Sequence, residues 1–182
     1  MNPKNFLLGK WAKNTRRYRK DLLTQPRSRQ IYCGMLVAED DPNDIFLLQR
    51  ALNKSGLPIK ARFFRDGVEV LDYLRGEAPY ADRKIHPLPK VLLLDIKMPR
   101  KNGFDVLQEV RAMPSLKRLI AVMFSSSAQS RDIDHAYDLG ANAYVVKPSN
   151  HAELTSTLRR IHDFWFLTNH ASPGLGSELH AA

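Results

Sequence analysis

The feature that most constrains the fold is an alternation of short apolar runs with longer segments whose apolar residues recur at helical spacing. The apolar runs occupy residues 34–39, 59–64, 91–95, 119–125 and 143–146. A helix-like segment follows each run. Successive parallel strands need a crossover, which is usually a helix and almost always right-handed. The pattern therefore predicts an α/β fold in which a five-stranded parallel sheet is doubly wound by helices on both faces.

Local signals mark the ends of the predicted helices. Asp41 suits the N-cap of the first helix, Pro42 its first position, and Asp44 the acid of a capping box. Gly56 and Gly76 stand where the first two helices should stop.

Two later segments carry further expectations. Residues 76–90 form an unusually long connection containing three prolines, a length typical of functional or mobile loops. The last helix is predicted over residues 152–167, with an inner stripe of Leu154, Leu158, Ile161 and Trp165.

The net charge of +9 belongs to one end of the chain. Residues 1–30 hold nine Lys and Arg against the single acid Asp21, while residues 31–182 hold 19 basic and 18 acidic side chains. We therefore expect a basic, unstructured arm at 1–30, a folded domain at 31–168 and a flexible tail at 169–182. Because the predicted domain is nearly neutral, nucleic acid is not its expected partner.

The chain has no feature that points to a membrane or to an oxidising compartment. Its apolar runs are strand-sized, and Phe6, Leu7 and Leu8 are too few for a signal-peptide core. The single cysteine, Cys33, has no internal disulfide partner. We expect a cytoplasmic protein.

Polar residues follow four of the predicted strands. Glu39 and Asp40 follow the first, Asp95 ends the third, Ser125 ends the fourth and Lys147 follows the fifth. In open parallel sheets, ligands bind outside the carboxyl ends of the strands. Each residue alone has an ordinary explanation, such as a helix cap or a surface lysine. Their shared position at strand ends favours a common site.

This set of residue types suits phosphoryl transfer. Converging carboxylates repel one another and need a cation, and Mg²⁺ prefers oxygen ligands and retains waters that phosphate oxygens can replace. A lysine and a hydroxyl opposite the cation would bind the oxygens that the metal leaves uncovered. A carboxylate between them would be the nucleophile.

The sequence resembles the receiver domains of response regulators over about residues 33–167. The resemblance rests on four stretches in the order that the family requires: Leu36-Val37-Ala38-Glu39-Asp40-Asp41, Leu92-Leu93-Leu94-Asp95-Ile96-Lys97-Met98-Pro99-Arg100-Lys101-Asn102-Gly103, Met123-Phe124-Ser125-Ser126 and Gly140-Ala141-Asn142-Ala143-Tyr144-Val145-Val146-Lys147-Pro148. It implies the flavodoxin-like (βα)5 receiver fold and a signalling protein that takes a phosphoryl group from a histidine kinase.

The resemblance also implies a role for each site residue. Asp95 is the expected phosphoacceptor, and Asp40, Asp95 and the backbone carbonyl of Lys97 are the expected Mg²⁺ ligands, with Glu39 bound through water. Lys147 would bind the phosphoryl group, with a cis peptide bond before Pro148. Ser125 would be the switch hydroxyl and Tyr144 the aromatic ring that rotates with it.

A narrower resemblance links the chain to the small regulators paired with bacterial phytochromes. It rests on Asp66-Gly67-Val68-Glu69-Val70-Leu71-Asp72-Tyr73-Leu74-Arg75-Gly76, the long loop to Pro89 and the aromatic end of the last helix. Since 15 residues follow Leu167, we expect output through a downstream protein, a phosphotransfer protein or self-association. Phe164, Trp165, Phe166 and Leu167 cannot all face one core, so they predict, together with Tyr144, a homodimer surface.

Two other functions compete with this interpretation. A phosphatase of the haloacid dehalogenase type also uses an Asp after a strand, but it needs a second acid two positions later, where this chain has Lys97. Residues 1–30 carry a weak amphipathic stripe of Leu7, Trp11, Tyr18 and Leu22, which would suit nucleic acid, an anionic membrane or an acidic partner.

Overall fold

The computed structural model describes residues 34–170, so the predictions for residues 1–30 and for the tail after residue 170 lie outside the described residues. Within this range five strands pair in parallel in the order β2-β1-β3-β4-β5. They are β1 (Met35–Ala38), β2 (Ala61–Phe64), β3 (Val91–Leu94), β4 (Ile120–Ser125) and β5 (Ala143–Val146). The predicted α/β fold with a five-stranded parallel sheet is confirmed.

Helices connect the strands and continue after the last one. They are α1 (Pro42–Ser55), α2 (Gly67–Arg75), α3 (Gly103–Ala112), α4 (Ser130–Asp138) and α5 (His151–His162), with a π-helical segment at Asp163–Thr168. None of the helices in residues 34–170 combines the length and the apolar character that crossing a membrane requires.

The sheet separates two apolar cores. Side chains alternate along each strand, so Leu36 and Ala38 enter one core while Met35 and Val37 enter the other. Helices α2, α3 and α4 close the first core, and α1 and α5 close the second. Burial on both faces explains why β3 is apolar throughout.

Side chains cap the helices close to the predicted starts. Asp41 accepts a hydrogen bond from the Asn43 amide at 2.7 Å, which confirms the expected N-cap of α1. Asp44, however, does not complete a capping box, because its carboxylate contacts Lys147 instead. Gly56 and Gly76 end α1 and α2 in the left-handed region, where the absence of a Cβ removes the steric cost.

The last helix differs from the prediction of one continuous helix over residues 152–167. It is α-helical to His162 and π-helical from Asp163 to Thr168. The wider turn lets both Trp165 and Phe166 pack against the second core. Phe164 and Leu167 remain 51% and 41% exposed, which confirms that the four apolar residues cannot all turn inward.

The long connection at residues 76–90 is anchored to the domain. Arg83 donates hydrogen bonds to the carbonyl oxygens of Tyr73 at 2.7 Å, Leu74 at 2.6 Å and His86 at 3.2 Å. The Tyr73 hydroxyl donates to the carbonyl of Pro87 at 2.7 Å. Arg83 thus adds a charged donor to carbonyls at the end of α2, where the Tyr73 carbonyl also accepts from the Gly76 amide at 3.2 Å.

The cis peptide bond implied before Pro148 is not formed. Among the described residues the cis bond lies between Ala78 and Pro79, in the long connection.

We expect Arg83→Ala to lower the free energy of unfolding by about 2–3 kcal/mol, because it leaves three carbonyls without their charged donor. Lys84→Ala is the matched control: Lys84 is exposed, so its loss should cost less than about 0.5 kcal/mol. Urea unfolding measures both. Equal small losses in the two variants would show that Arg83 does not anchor the connection.

Candidate functional site

The site forms where the strand order of the sheet reverses. β1 and β3 are neighbours in the sheet although β2 lies between them along the chain. Backbone hydrogen bonds extend their pairing by one residue, since the amide of Asp95 donates to the carbonyl of Ala38 at 3.0 Å. The amide of Glu39 donates to the carbonyl of Phe64 at 2.9 Å. The sheet backbone therefore holds Glu39 and Asp95 side by side, at the position where open α/β sheets bind ligands.

Three carboxylates meet at this point. One oxygen from each of Glu39, Asp40 and Asp95 lies within 4.8 Å of the other two. Glu39 and Asp95 are buried, whereas Asp40 is exposed. Like charges at this separation disfavour simultaneous ionisation unless a cation accompanies them.

Lys147 supplies a positive charge from the far edge of the sheet. Its Nζ lies 2.5 Å from Glu39 Oε2, 2.8 Å from Asp44 Oδ2 and 3.3 Å from Asp95 Oδ1. Its amide donates to the carbonyl of Ser125 at 2.8 Å, which fixes the turn after β5. The single ammonium of Lys147 thus forms ion pairs with three carboxylates.

The two oxygens of Asp95 have different surroundings. Oδ2 accepts a hydrogen bond from the amide of Lys97 at 2.9 Å. Oδ1 is buried and accepts no hydrogen bond from any residue in the range 34–170, although Lys147 Nζ lies 3.3 Å away. A buried acceptor without a donor is costly, so Oδ1 is an open binding position for a cation or an electrophile.

The loop after Asp95 is closed tightly behind the site. A Cβ on Gly103 would lie 2.1 Å from the carbonyl oxygen of Asp95, so only glycine fits at the start of α3. Asn102 caps α3 through a capping box with Asp105. These contacts hold the segment that contains Lys97, whose side chain is exposed.

Burial and charge shift two pKa values in the site. Burial raises the pKa of Glu39 from 4.5 to about 7, although its hydrogen bond to Lys147 opposes the rise. Burial would lower the pKa of Lys147, but hydrogen bonds to Asp44 and Glu39 and the charge of Asp95 raise it above its usual range. Lys147 therefore stays charged near neutral pH, yet it does not keep Glu39 fully ionised.

These residues fit a hard divalent cation. The atoms available to bind a metal are carboxylate oxygens. Asp95 Oδ1 is buried without a hydrogen-bond donor, and the single ammonium of Lys147 leaves net negative charge in the cluster. Mg²⁺ and Mn²⁺ favour such oxygen sites.

Ser125 and Tyr144 belong to a polar chain beside the carboxylates. Ser125 is buried, and its Oγ lies 3.4 Å from the amide of Ser127. The Tyr144 hydroxyl donates to the carbonyl of Ser127 at 2.9 Å, and the Ser127 hydroxyl donates to Asp132 at 2.6 Å. The segment after β4 thus links Ser125 to Tyr144.

Asp44 and Asp132 were missed as members of the site. The sequence favours a capping role for Asp44, yet Asp44 stands three residues after the N-cap Asp41, in the first turn of the helix that follows Glu39 and Asp40. That spacing was the available signal. For Asp132 we find no comparable signal, since its partner Ser127 lies outside any regular element.

The predicted single surface of Tyr144 and the aromatic end of the chain is not formed. Tyr144 packs against the core closed by α2, α3 and α4, whereas Trp165 and Phe166 pack against the core closed by α1 and α5. The sheet lies between them because alternate residues of β5 point to opposite faces.

Comparison with known proteins identifies the family of the chain and agrees with its fold. The family model described as the response regulator receiver domain matches residues 35–159. Response regulator Rcp1 of Synechocystis sp. is 31% identical over 134 residues, which are 74% of this chain and 89% of Rcp1. The probable methanogenesis regulatory protein FilR2 of Methanothrix harundinacea is 30% identical over 140 residues, 77% of this chain and 87% of FilR2.

Solved structures give the same result. The phosphorylated cyanobacterial phytochrome response regulator RcpA is 37% identical with a TM-score of 0.70, covering 77% of this chain and 98% of RcpA. The response regulator RPA3017 of R. palustris, described in red light signalling, is 34% identical with a TM-score of 0.73, and the match covers 76% of this chain and 97% of RPA3017. The Mn²⁺-bound form of Rcp1 is 30% identical with a TM-score of 0.68, and the match covers 76% of this chain and 97% of Rcp1.

The chain belongs to the receiver-domain family of response regulators. Its fold, its acidic cluster and its relatives make it a protein of phosphorelay signal transduction rather than a dehalogenase-type phosphatase.

In the metal-free protein we expect the free energy of unfolding to fall as the pH rises from about 4.5 through about 7. Between these two pKa values the folded state holds a proton on Glu39 that the unfolded chain has released. The stabilisation from this proton is complete below pH 4.5 and is lost above about pH 7. The loss is on the order of 3 kcal/mol. Glu39→Gln should not show this pH-dependent loss, because glutamine does not titrate. Its free energy of unfolding should therefore rise relative to that of the parent chain as the pH increases. Urea unfolding in EDTA tests this, and parallel pH profiles for the two proteins would contradict it.

Proposed function

We propose that Asp95 accepts a phosphoryl group from a sensor histidine kinase. The observation that carries this proposal is the environment of Asp95 Oδ1, which is buried without a hydrogen-bond donor and lies 3.3 Å from Lys147 Nζ. A carboxylate oxygen in that position keeps a lone pair free for bond formation. The neighbouring ammonium offsets the charge that arrives with the phosphoryl group.

The transfer is a displacement at phosphorus. Asp95 Oδ1 attacks the phosphohistidine of the kinase, a phosphorus–oxygen bond forms, and the phosphorus–nitrogen bond breaks with its electron pair returning to the imidazole. Lys147 binds the phosphoryl oxygens while the bond order shifts. The imidazole of the kinase histidine is the leaving group, and the product is an acyl phosphate on Asp95.

Mg²⁺ is the proposed cofactor. Asp40, Asp95 and the carbonyl of Lys97 would hold it directly, and Glu39 would hold it through water. When bound, the ion neutralises the carboxylates that would otherwise repel the phosphoryl group. The acidic cluster of Glu39, Asp40 and Asp95 supports this assignment, as does the Mn²⁺-bound form of the relative Rcp1.

Ser125 and Tyr144 are the proposed switch. The Ser125 hydroxyl would turn to bind a phosphoryl oxygen, and the loop around Ser127 would follow it. That movement breaks or re-forms the hydrogen bond between Tyr144 and the Ser127 carbonyl. The new phosphate contact is what favours the second state over the first.

The protein acts as a signalling component and turns over no substrate. Its covalent chemistry consists of phosphorylation and hydrolysis at its own Asp95. The proposed partners are a sensor histidine kinase, for which the similarity to RcpA favours a phytochrome, and a downstream protein or phosphotransfer protein. All of these steps would take place in the cytoplasm, and none of them requires a membrane or nucleic acid.

A homodimer is proposed through the exposed part of the π-helical segment. Phe164 and Leu167 are half-exposed apolar residues on the same short segment, while Trp165 and Phe166 are packed inward. Burying Phe164 and Leu167 against a second copy would remove apolar area from water. Tyr144 is not part of this surface.

We expect acetyl phosphate or beryllofluoride with Mg²⁺ to modify Asp95 alone, because Asp95 combines a free buried oxygen with the neighbouring ammonium. Mass spectrometry should show one added phosphoryl group in the parent chain and none in Asp95→Asn. EDTA should abolish the reaction, since the uncompensated carboxylates repel the donor. Modification of Asp95→Asn to the same extent would contradict the assignment.

We expect Phe164→Asp combined with Leu167→Asp to shift the protein from dimer to monomer in sedimentation velocity, because charge would replace the apolar contact. Both side chains are exposed, so folding should be retained. Ile85→Asp is the control, since Ile85 is a similarly exposed apolar residue in the long connection. A parent chain that stays monomeric at high concentration would remove the dimer from the proposal.

A further inference from the structure

The hydrogen bonds of the Lys147 ammonium point to a role for Asp44. An ammonium has three protons to donate. Two of them go to Glu39 Oε2 at 2.5 Å and Asp44 Oδ2 at 2.8 Å, and none forms a hydrogen bond with Asp95 Oδ1. In this state the lysine is held by two acids that are not the proposed phosphoacceptor.

Asp44 differs from the other two partners of Lys147. Glu39 and Asp95 belong to the acidic cluster, and a bound cation would share their charge. Asp44 lies outside the cluster, on the first turn of α1, with a side chain that is 37% exposed. A cation held by Glu39, Asp40 and Asp95 would therefore not neutralise Asp44, and the ion pair between Asp44 and Lys147 would remain.

We propose that Asp44 is a positioning residue that restrains phosphorylation by competing with the phosphoryl group for Lys147. This inference rests on the proposed function of Asp95. To bind a phosphoryl oxygen, the ammonium has to give up or weaken one of its two hydrogen bonds, and Asp44 is the partner that a cation does not neutralise. The negative charge of Asp44 also opposes the charge of an incoming phosphoryl group at short range.

Two features of the chain argue against a purely structural role for Asp44. It does not cap α1, because Asp41 already accepts the hydrogen bond from the helix amide. Within residues 34–170, its carboxylate pairs with Lys147, which is 103 residues away along the sequence. Loss of a merely structural ion pair would weaken ligand binding or stability, whereas loss of a competitor strengthens binding.

The test is beryllofluoride binding to the full chain at saturating Mg²⁺, followed by fluorine NMR. Asp44→Asn should lower the apparent dissociation constant about three- to tenfold, since it removes one charge at contact distance from Lys147. Asp44→Glu, which restores the carboxylate, should return the constant towards the parent value. Asp41→Asn is the matched control, because it removes one charge from the same helix end, keeps a side chain that can cap the helix and does not contact Lys147. This control should change the apparent dissociation constant less than twofold.

The outcomes separate the two proposals. If the parent chain binds no beryllofluoride, the proposed function of Asp95 fails. If the parent chain binds it and Asp44→Asn binds it equally or more weakly, the role of Asp44 is overturned while that of Asp95 stands. An equal gain in Asp41→Asn would also overturn it, because the effect would then be general charge repulsion rather than competition for Lys147.

Discussion

The site depends on the single ammonium of Lys147, which lies beside three carboxylates, two of them buried. Lys147 Nζ lies within 3.3 Å of Glu39, Asp44 and Asp95, and both Glu39 and Asp95 are buried. Burial removes hydration, so each charge needs a partner inside the protein. One ammonium cannot provide that for three acids, and the remaining negative charge fits the site to a divalent cation. In the proposed function, the cation and the ammonium together would offset the charge that arrives with the phosphoryl group.

The fold supplies this cluster from distant parts of the chain. The reversal of strand order brings the ends of β1 and β3 together, and the length of a lysine side chain lets a residue after β5 reach them. Gly103 packs against the carbonyl of Asp95 and closes the loop behind it. The sheet also separates two surfaces: Tyr144 and its link to Ser127 lie on one face, and Phe164 and Leu167 follow the helix on the other. The proposed signal through Tyr144 and the proposed contact through Phe164 would therefore use different surfaces of the domain.

Much of this arrangement follows from local pattern. Alternation of apolar runs with helical spacing predicts the sheet, Asp41 predicts the start of α1, and polar residues after the strands predict which side chains converge. Other features depend on tertiary placement. The pattern of β5 shows that its side chains alternate, but only the packing of the two cores shows that Tyr144 and Trp165 lie on opposite faces of the sheet. Asp44 looks like a cap until Lys147, 103 residues away, is placed beside it. The π-helical turn at Asp163–Thr168 lets Trp165 and Phe166 both reach the core, which α-helical periodicity does not anticipate.

The most direct test of the central claim is a crystal structure of the protein with Mg²⁺ and beryllofluoride. We predict beryllium bonded to Asp95 Oδ1, with the metal against Asp40 and Asp95. Lys147 Nζ should lie within hydrogen-bond distance of a fluoride, and its bond to Asp44 should be lengthened or lost. Beryllium on another residue would contradict the account, as would a Lys147 that still binds Glu39 and Asp44 and makes no contact with fluoride.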